Sequence, residues 1–197
     1  NYQDLKRRQI KLDQKNIGYI HAHYLYTRSF FLEIPVQEVH KEAFQYWKTQ
    51  AEKYWLEFNH YSEGMIALAL FRIDKTNKTS QEIITSLRER AIQNPELGMY
   101  WKLQPGYYWQ EAAIETHSLL IEAFTTISKD LASVDAMKTW LLKNKQTTHW
   151  KTTKATSDAC YALLLEGTNW LNAESKVEIE IGGKLLDPKT MPEVRIE

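Results

Sequence analysis

Residues 65–71, Met-Ile-Ala-Leu-Ala-Leu-Phe, contain no polar side chain. Over about two turns of helix such a run is apolar on every side. A helix spanning residues 61–73 must therefore be enclosed by other elements rather than rest on a surface. This requirement dominates the reading, because the rest of the chain has to supply the enclosure.

The neighbouring segments have the matching period. Phe44, Trp47, Ala51, Tyr54, Trp55 and Phe58 recur at steps of three and four, giving one broad apolar face to a helix entered near Pro35, where a first turn tolerates proline. Earlier, Ile17, Ile20, Tyr24 and Phe31, flanked by Ala22 and Leu25, fit a helical segment over about residues 5–32. Ser80 is the expected cap of a helix running to about Gln93 and closed by Asn94-Pro95, with residues 96–106 irregular. The next helix, residues 108–128, sets Glu111, Glu115, Ser118 and Glu122, expected on the polar outer face, against Ala113, His117, Leu120, Phe124 and Ile127. Asp130 can cap a helix to about Asn144, and Thr152 or Thr153 starts one that fades near Gly167. Only 7 glycines and 5 prolines interrupt 197 residues, which favours long regular elements. Short links between amphipathic helices imply antiparallel neighbours.

Beyond Trp170 the period changes. Val177-Glu-Ile-Glu-Ile alternates as a half-buried strand does, Gly182-Gly183 fits a hairpin turn, Lys184-Leu-Leu follows, and Asp187-Pro188 marks another turn. A domain boundary is expected near residue 172, with residues 1–171 helical and residues 172–197 opening a following β-sandwich domain. Asn1 in place of methionine, and a strand-like ending at residues 192–197, suggest a piece of a longer chain.

Charge narrows the function classes. Lys and Arg number 25 against 25 Asp and Glu, so the basic excess that releases counterions from phosphate is missing and no nucleic-acid partner is expected. The cluster Lys6, Arg7, Arg8 and Lys11 is balanced by Asp4 and Asp13. No apolar run approaches the length of a membrane span, so no direct membrane insertion is expected. Cys160 is the single cysteine, which excludes an internal disulfide.

No catalytic, cofactor-binding or metal-ligating residue is assigned. His21 and His23 fall on different sides of a helix, His40 and His60 are isolated, and His149 sits in a loop where packing or capping is expected. His117, alone on an apolar stripe, reads as a hydrogen-bonded core histidine. Tyr46, Trp47, Tyr54 and Trp55 are spaced to line a sugar-binding cleft, but packing between helices is the expected role. Cys160, on the small-residue face with Ala155, Thr156, Ala159 and Leu163, reads as a close-packed structural cysteine. Asp130, Asp135 and Asp158 stand singly, and no phosphate loop is present.

One stretch is distinctive. From Val134, a helix ends in Trp140-Leu-Leu, an aromatic loop Gln146-Thr-Thr-His-Trp-Lys follows, and Thr153-Lys-Ala-Thr-Ser-Asp-Ala opens a helix toward Ala162-Leu-Leu. This resembles the closing repeat of the thioester-type helical domain of bacterial α2-macroglobulins, especially the large Bacteroidetes kind. Met99-Tyr-Trp-Lys and Trp109-Gln-Glu-Ala-Ala-Ile-Glu-Thr-His-Ser-Leu-Leu resemble the preceding repeat, and Val177-Glu-Ile-Glu-Ile-Gly-Gly-Lys the strand returning to a neighbouring β domain. The resemblance covers about residues 99–187 well and the earlier helices loosely. It implies a terpene-cyclase-like α/α toroid of helix hairpins, incomplete here, with a short C-terminal β-hairpin. It further implies a non-catalytic structural module of a protease-trapping inhibitor, whose partners would be proteases, through the parent, and neighbouring β domains of the same chain. The implied location is periplasmic or extracellular, with lipid anchoring of the parent left open. The family's Cys-x-x-Gln thioester has no match at Cys160, which Tyr161-Ala-Leu follows, so no thioester role is carried onto it.

Two other classes compete. An α/α-toroid carbohydrate-active enzyme, such as a polysaccharide lyase or a glycosidase, would need paired carboxylates in an aromatic cleft, and Glu111 and Glu115 fall on the face expected to point outward. A helical-repeat binding module would work through its aromatic face without chemistry. Because inner helices of a ring bury their stripes together, at about 25 cal/mol per Å², the isolated piece is expected to be less stable than a complete ring, or to self-associate.

Overall fold

The computed structural model describes residues 2–102, 113–145 and 149–165, and the backbone of residues 179–181 and 184–186. The chain divides into two compact units, Asn1–Leu165 and Glu166–Glu197. The larger is mainly helical. Its elements are α1 (Tyr2–Arg7), α2 (Tyr19–Arg28), α3 (Glu38–Tyr54, continued by a 3₁₀ turn Trp55–Glu57), α4 (His60–Ile73), α5 (Lys78–Glu89), β1 (Ile92–Asn94), β2 (Gly98–Tyr100), α6 (Ala113–Ala123, continued by a π turn Phe124–Ser128), α7 (Leu131–Lys143) and α8 (Thr153–Leu164).

Local chemistry sets most helix starts. The side chains of Asn59, Asn77, Asp130 and Thr152 accept hydrogen bonds from the backbone N–H groups of Ser62, Ser80, Ser133 and Ala155, the usual way to satisfy a first-turn donor. Asp130 and Thr152 cap as expected. Ser80 does not: Asn77 takes the capping place, so the helix starts earlier, and the Ser80 hydroxyl donates to the Asn77 carbonyl at 2.7 Å.

The packing follows a simple order. α2 lies on α4, α4 on α6 and α6 on α8, while α3, α5 and α7 back this row. The row is parallel: Tyr26 near the end of α2, Arg72 near the end of α4 and Glu122 near the end of α6 bond one another. Each intervening helix therefore runs back antiparallel to its neighbours. α4 is enclosed as the apolar run requires, with residues 62–70 all buried. Gly64 allows the close α4–α6 approach, because a Cβ there would stand 3.0 Å from a Leu120 methyl. On α8 the buried residues are Ala155, Ala159 and Ala162, so its backbone also comes close to α6.

On α2 the buried residues are Ala22 and Leu25, whereas Ile20, Tyr24 and Phe31 are exposed. The segment read as one helix over residues 5–32 is two short helices, and of the stripe read from spacing only Ile17, before α2, is buried. Residues 96–106, expected to be irregular, contain a strand: β2 pairs antiparallel with β1 in the register Ile92↔Tyr100, Gln93↔Met99 and Asn94↔Gly98. Gly98 has φ +83°, and a Cβ there would stand 2.1 Å from the Ala136 carbonyl oxygen. It joins the hairpin to α7.

The aromatic face of α3 packs inward: Trp47, Ala51 and Trp55 are buried and Phe44, Tyr54 and Phe58 half-buried. Two further tryptophans tie loops to helices through their indole N–H groups, Trp101 to Leu87 O and Trp150 to Leu141 O, each at 2.9 Å. In the smaller unit, β3 (Ile179–Ile181) pairs antiparallel with β4 (Lys184–Leu186), Ile181 opposite Lys184, as the alternating pattern predicts. The boundary near residue 172, the turn residues Gly182-Gly183 and Asp187-Pro188, residues 192–197, and Glu111 lie outside the described residues. No helix among the described residues is long and apolar enough to cross a membrane.

Candidate functional site

Most of the residues weighed in the sequence have structural roles. His117 is buried, and its Nε2–H donates to the Met137 carbonyl at 3.0 Å. A carbonyl can only accept, which fixes the tautomer as the neutral Nε2–H form. Burial lowers its pKa to about 4, partly offset by the bond to Met137. His21 accepts from the Gly18 N–H at 3.0 Å and stacks on Trp47. The Tyr46 hydroxyl accepts from Asn16, and that of Tyr54 donates to the Asp13 carbonyl, so the aromatics of α3 hold the loop after α1. In the basic cluster, Lys6 pairs with Glu42 and Arg7 with Asp4. Cys160 is exposed, contrary to the close-packed reading, because α8 turns its alanines rather than Cys160 toward α6. Among the described residues no three His, Cys, Asp or Glu side chains gather as metal ligands.

A second polar cluster lies at the start of α4. Glu63 is fully buried, and its Oε2 is bound by His60 Nδ1 and by the Arg90 guanidinium, each at 2.9 Å. Its role is to tie α4 to the end of α5.

Three of the residues expected on the outer face line a pocket instead. Glu115, Ser118 and Glu122 are buried, at 6%, 3% and 4% exposure. With Leu119 they form one wall of a pocket of about 140 Å³. Tyr26 of α2 and Tyr61 of α4 form a second side, and Lys154, Asp158 and Tyr161 of α8 a third. Polar residues at steps of three and four on α6 look like a solvent face when α6 is read alone. In the parallel row that face turns toward neighbouring helices, whose polar groups meet it.

Electrostatics divide the pocket into two ends. At one, Arg72 pairs with Glu122, lies over the Phe30 ring at 4.1 Å and reaches the Ser29 hydroxyl. The Tyr26 hydroxyl donates to Glu122 at 3.3 Å. Burial raises the pKa of Tyr26, and the Glu122 carboxylate raises it further. Tyr161 is shifted upward for the same two reasons. Glu122 is thus held by a cation and phenols.

At the other end Lys154 pairs with Asp158, and both side chains are part-exposed at the mouth. Glu115 accepts a long hydrogen bond from the Thr152 hydroxyl, 3.5 Å, and no ion pair to it occurs among the described residues. The Ser118 hydroxyl is buried and has no hydrogen-bond partner among them. The Tyr61 pKa is raised chiefly by burial, then by Tyr19 and by the carboxylates of Asp158, Glu115 and Glu122.

No family model and no curated protein matches the chain.

Proposed function

We propose that the chain is the later, non-catalytic portion of the helical domain of a macroglobulin-like protease inhibitor, followed by the start of a β-sandwich domain. In the parent it would serve as scaffold for protease trapping, in a periplasmic or extracellular setting. The observation that supports this most is the parallel row α2–α4–α6–α8 backed by α3, α5 and α7, the layout from which an α/α toroid is built. The apolar residues left exposed on α2, among them Ile20 at 67%, are the surface that a further helix of such a ring would cover. The residues behind the resemblance also have structural roles. Thr152 caps α8, the Thr156 hydroxyl accepts from the Trp150 N–H at 3.1 Å, and Trp150 and Ala159 are buried.

A carbohydrate-active enzyme is the second reading, favoured by carboxylates in a tyrosine-lined cleft. Two features weigh against it. Glu122 is engaged by Arg72, and the volume is well below the roughly 300 Å³ at which pockets for drug-sized ligands begin. The test is protease trapping by the full-length parent. Proteolytic cleavage of the parent should leave the attacking protease active on small substrates but shielded from large ones. A protease that stays fully active on large substrates would overturn the reading.

A further inference from the structure

We propose that the pocket on the inner face of the helical row binds a small alkylammonium group, with Glu115 as its counter-charge. This goes beyond the inhibitor reading and does not depend on it. Three carboxylates face two cations: Glu122 is paired with Arg72 and Asp158 with Lys154, which leaves Glu115 as the carboxylate without an ion pair among the described residues. A buried carboxylate in that condition is costly unless a cation joins it.

The second observation is independent of charge. The Ser118 hydroxyl lies on the same helix one turn from Glu115, lines the same pocket, is buried, and has no hydrogen-bond partner among the described residues. Buried hydroxyls are normally satisfied, and an ammonium N–H is the donor that would satisfy this one while its charge meets Glu115. Tyr26, Tyr61 and Tyr161 present aromatic surface around the same space, which attracts cations through the ring quadrupole.

Size limits the ligand. A cavity of roughly 150 Å³ accommodates benzene, about six heavy atoms, and this pocket is about 140 Å³. An n-butylammonium ion, with about five heavy atoms, fits; a sugar chain does not. The same head group occurs on free amines and on lysine side chains.

The test is calorimetric titration of the 197-residue chain in amine-free buffer. The probes are n-butylammonium chloride, its near-isosteric neutral analogue 1-butanol, and a lysine-containing tripeptide with and without acetylation of the side-chain amine. Expected is n-butylammonium binding with a Kd on the order of 1 mM, at least about tenfold weaker binding of 1-butanol, and at least about tenfold weakening of butylammonium in Glu115→Gln. Binding of the unmodified peptide and not its acetylated form would assign the site to a polypeptide lysine; binding of the free amine alone would assign it to a small molecule. Equal affinity for butylammonium and 1-butanol would overturn the proposal, and that comparison needs no variant. So would the absence of butylammonium binding up to about 50 mM, or full binding retained in a folded Glu115→Gln chain.

Discussion

The buried, neutral His117 predicts a specific acid sensitivity. In the folded chain its pKa is about 4, against 6.5 for an unhindered histidine. A base whose folded pKa is lowered binds protons more readily when unfolded. Its full contribution is therefore kept above about pH 6.5 and is lost as the pH falls toward 4. At about pH 5 the unfolded imidazole is almost wholly protonated and the folded one hardly at all. The protonation ratio favours unfolding by roughly thirtyfold, or about 2 kcal/mol. For a helical unit of this size that is a fall of about 4–8 °C in melting temperature. The measurement is urea unfolding of the natural chain and of His117→Gln at about pH 7.5 and pH 5. Glutamine keeps a donor for Met137 but has no titrating group, and all other ionisable groups contribute alike to both proteins. The natural chain should lose about 2 kcal/mol more than the variant on acidification. Equal losses would refute the reasoning, since a buried imidazole that cost nothing to protonate would have to find a charge partner.

Two further outcomes follow from packing. Gly98→Ala combines a left-handed backbone with a Cβ set 2.1 Å from the Ala136 carbonyl, and should cost at least about 2 kcal/mol by thermal unfolding. Arg72→Met leaves Glu122 buried without its cation and should cost about 2–4 kcal/mol, much of it recovered in the double variant Arg72→Met/Glu122→Leu, as chemical denaturation of the two variants and the natural chain can show.

Some of this architecture was legible because it is local. The run at residues 65–71 demands enclosure wherever it lies, and α4 is enclosed. Asp130 and Thr152 cap because a side-chain oxygen at a helix start needs only the N–H three residues on. Ser80 misled because Asn77, an equally good cap, stands three residues earlier. α2 misled because apolar residues lie on both of its sides, so periodicity alone could not choose the buried one. The β1–β2 hairpin has strands of three residues, too short to show alternation, and the Asn94-Pro95 taken as a helix stop is where β1 enters its turn. The pocket was hidden for a different reason. Glu122 meets its partners from Arg72, 50 residues away, and from Tyr26, 96 residues away, and no local pattern signals pairings at that range. Glu115 and Ser118, viewed on one helix, carry the ordinary signature of a wet surface.

The placement of α4 also bears on how rigid each part of the pocket is. α4 is packed on α2, α3, α5 and α6 at once, so its amides can exchange with water only when the whole unit opens. Among the described residues α8 is the last helix of the row, with Tyr161 and Leu164 about half exposed. Its amides should therefore exchange at lower cost than those of α4. The pocket therefore has its back on the more protected helices α4 and α6 and its front on the less protected α8.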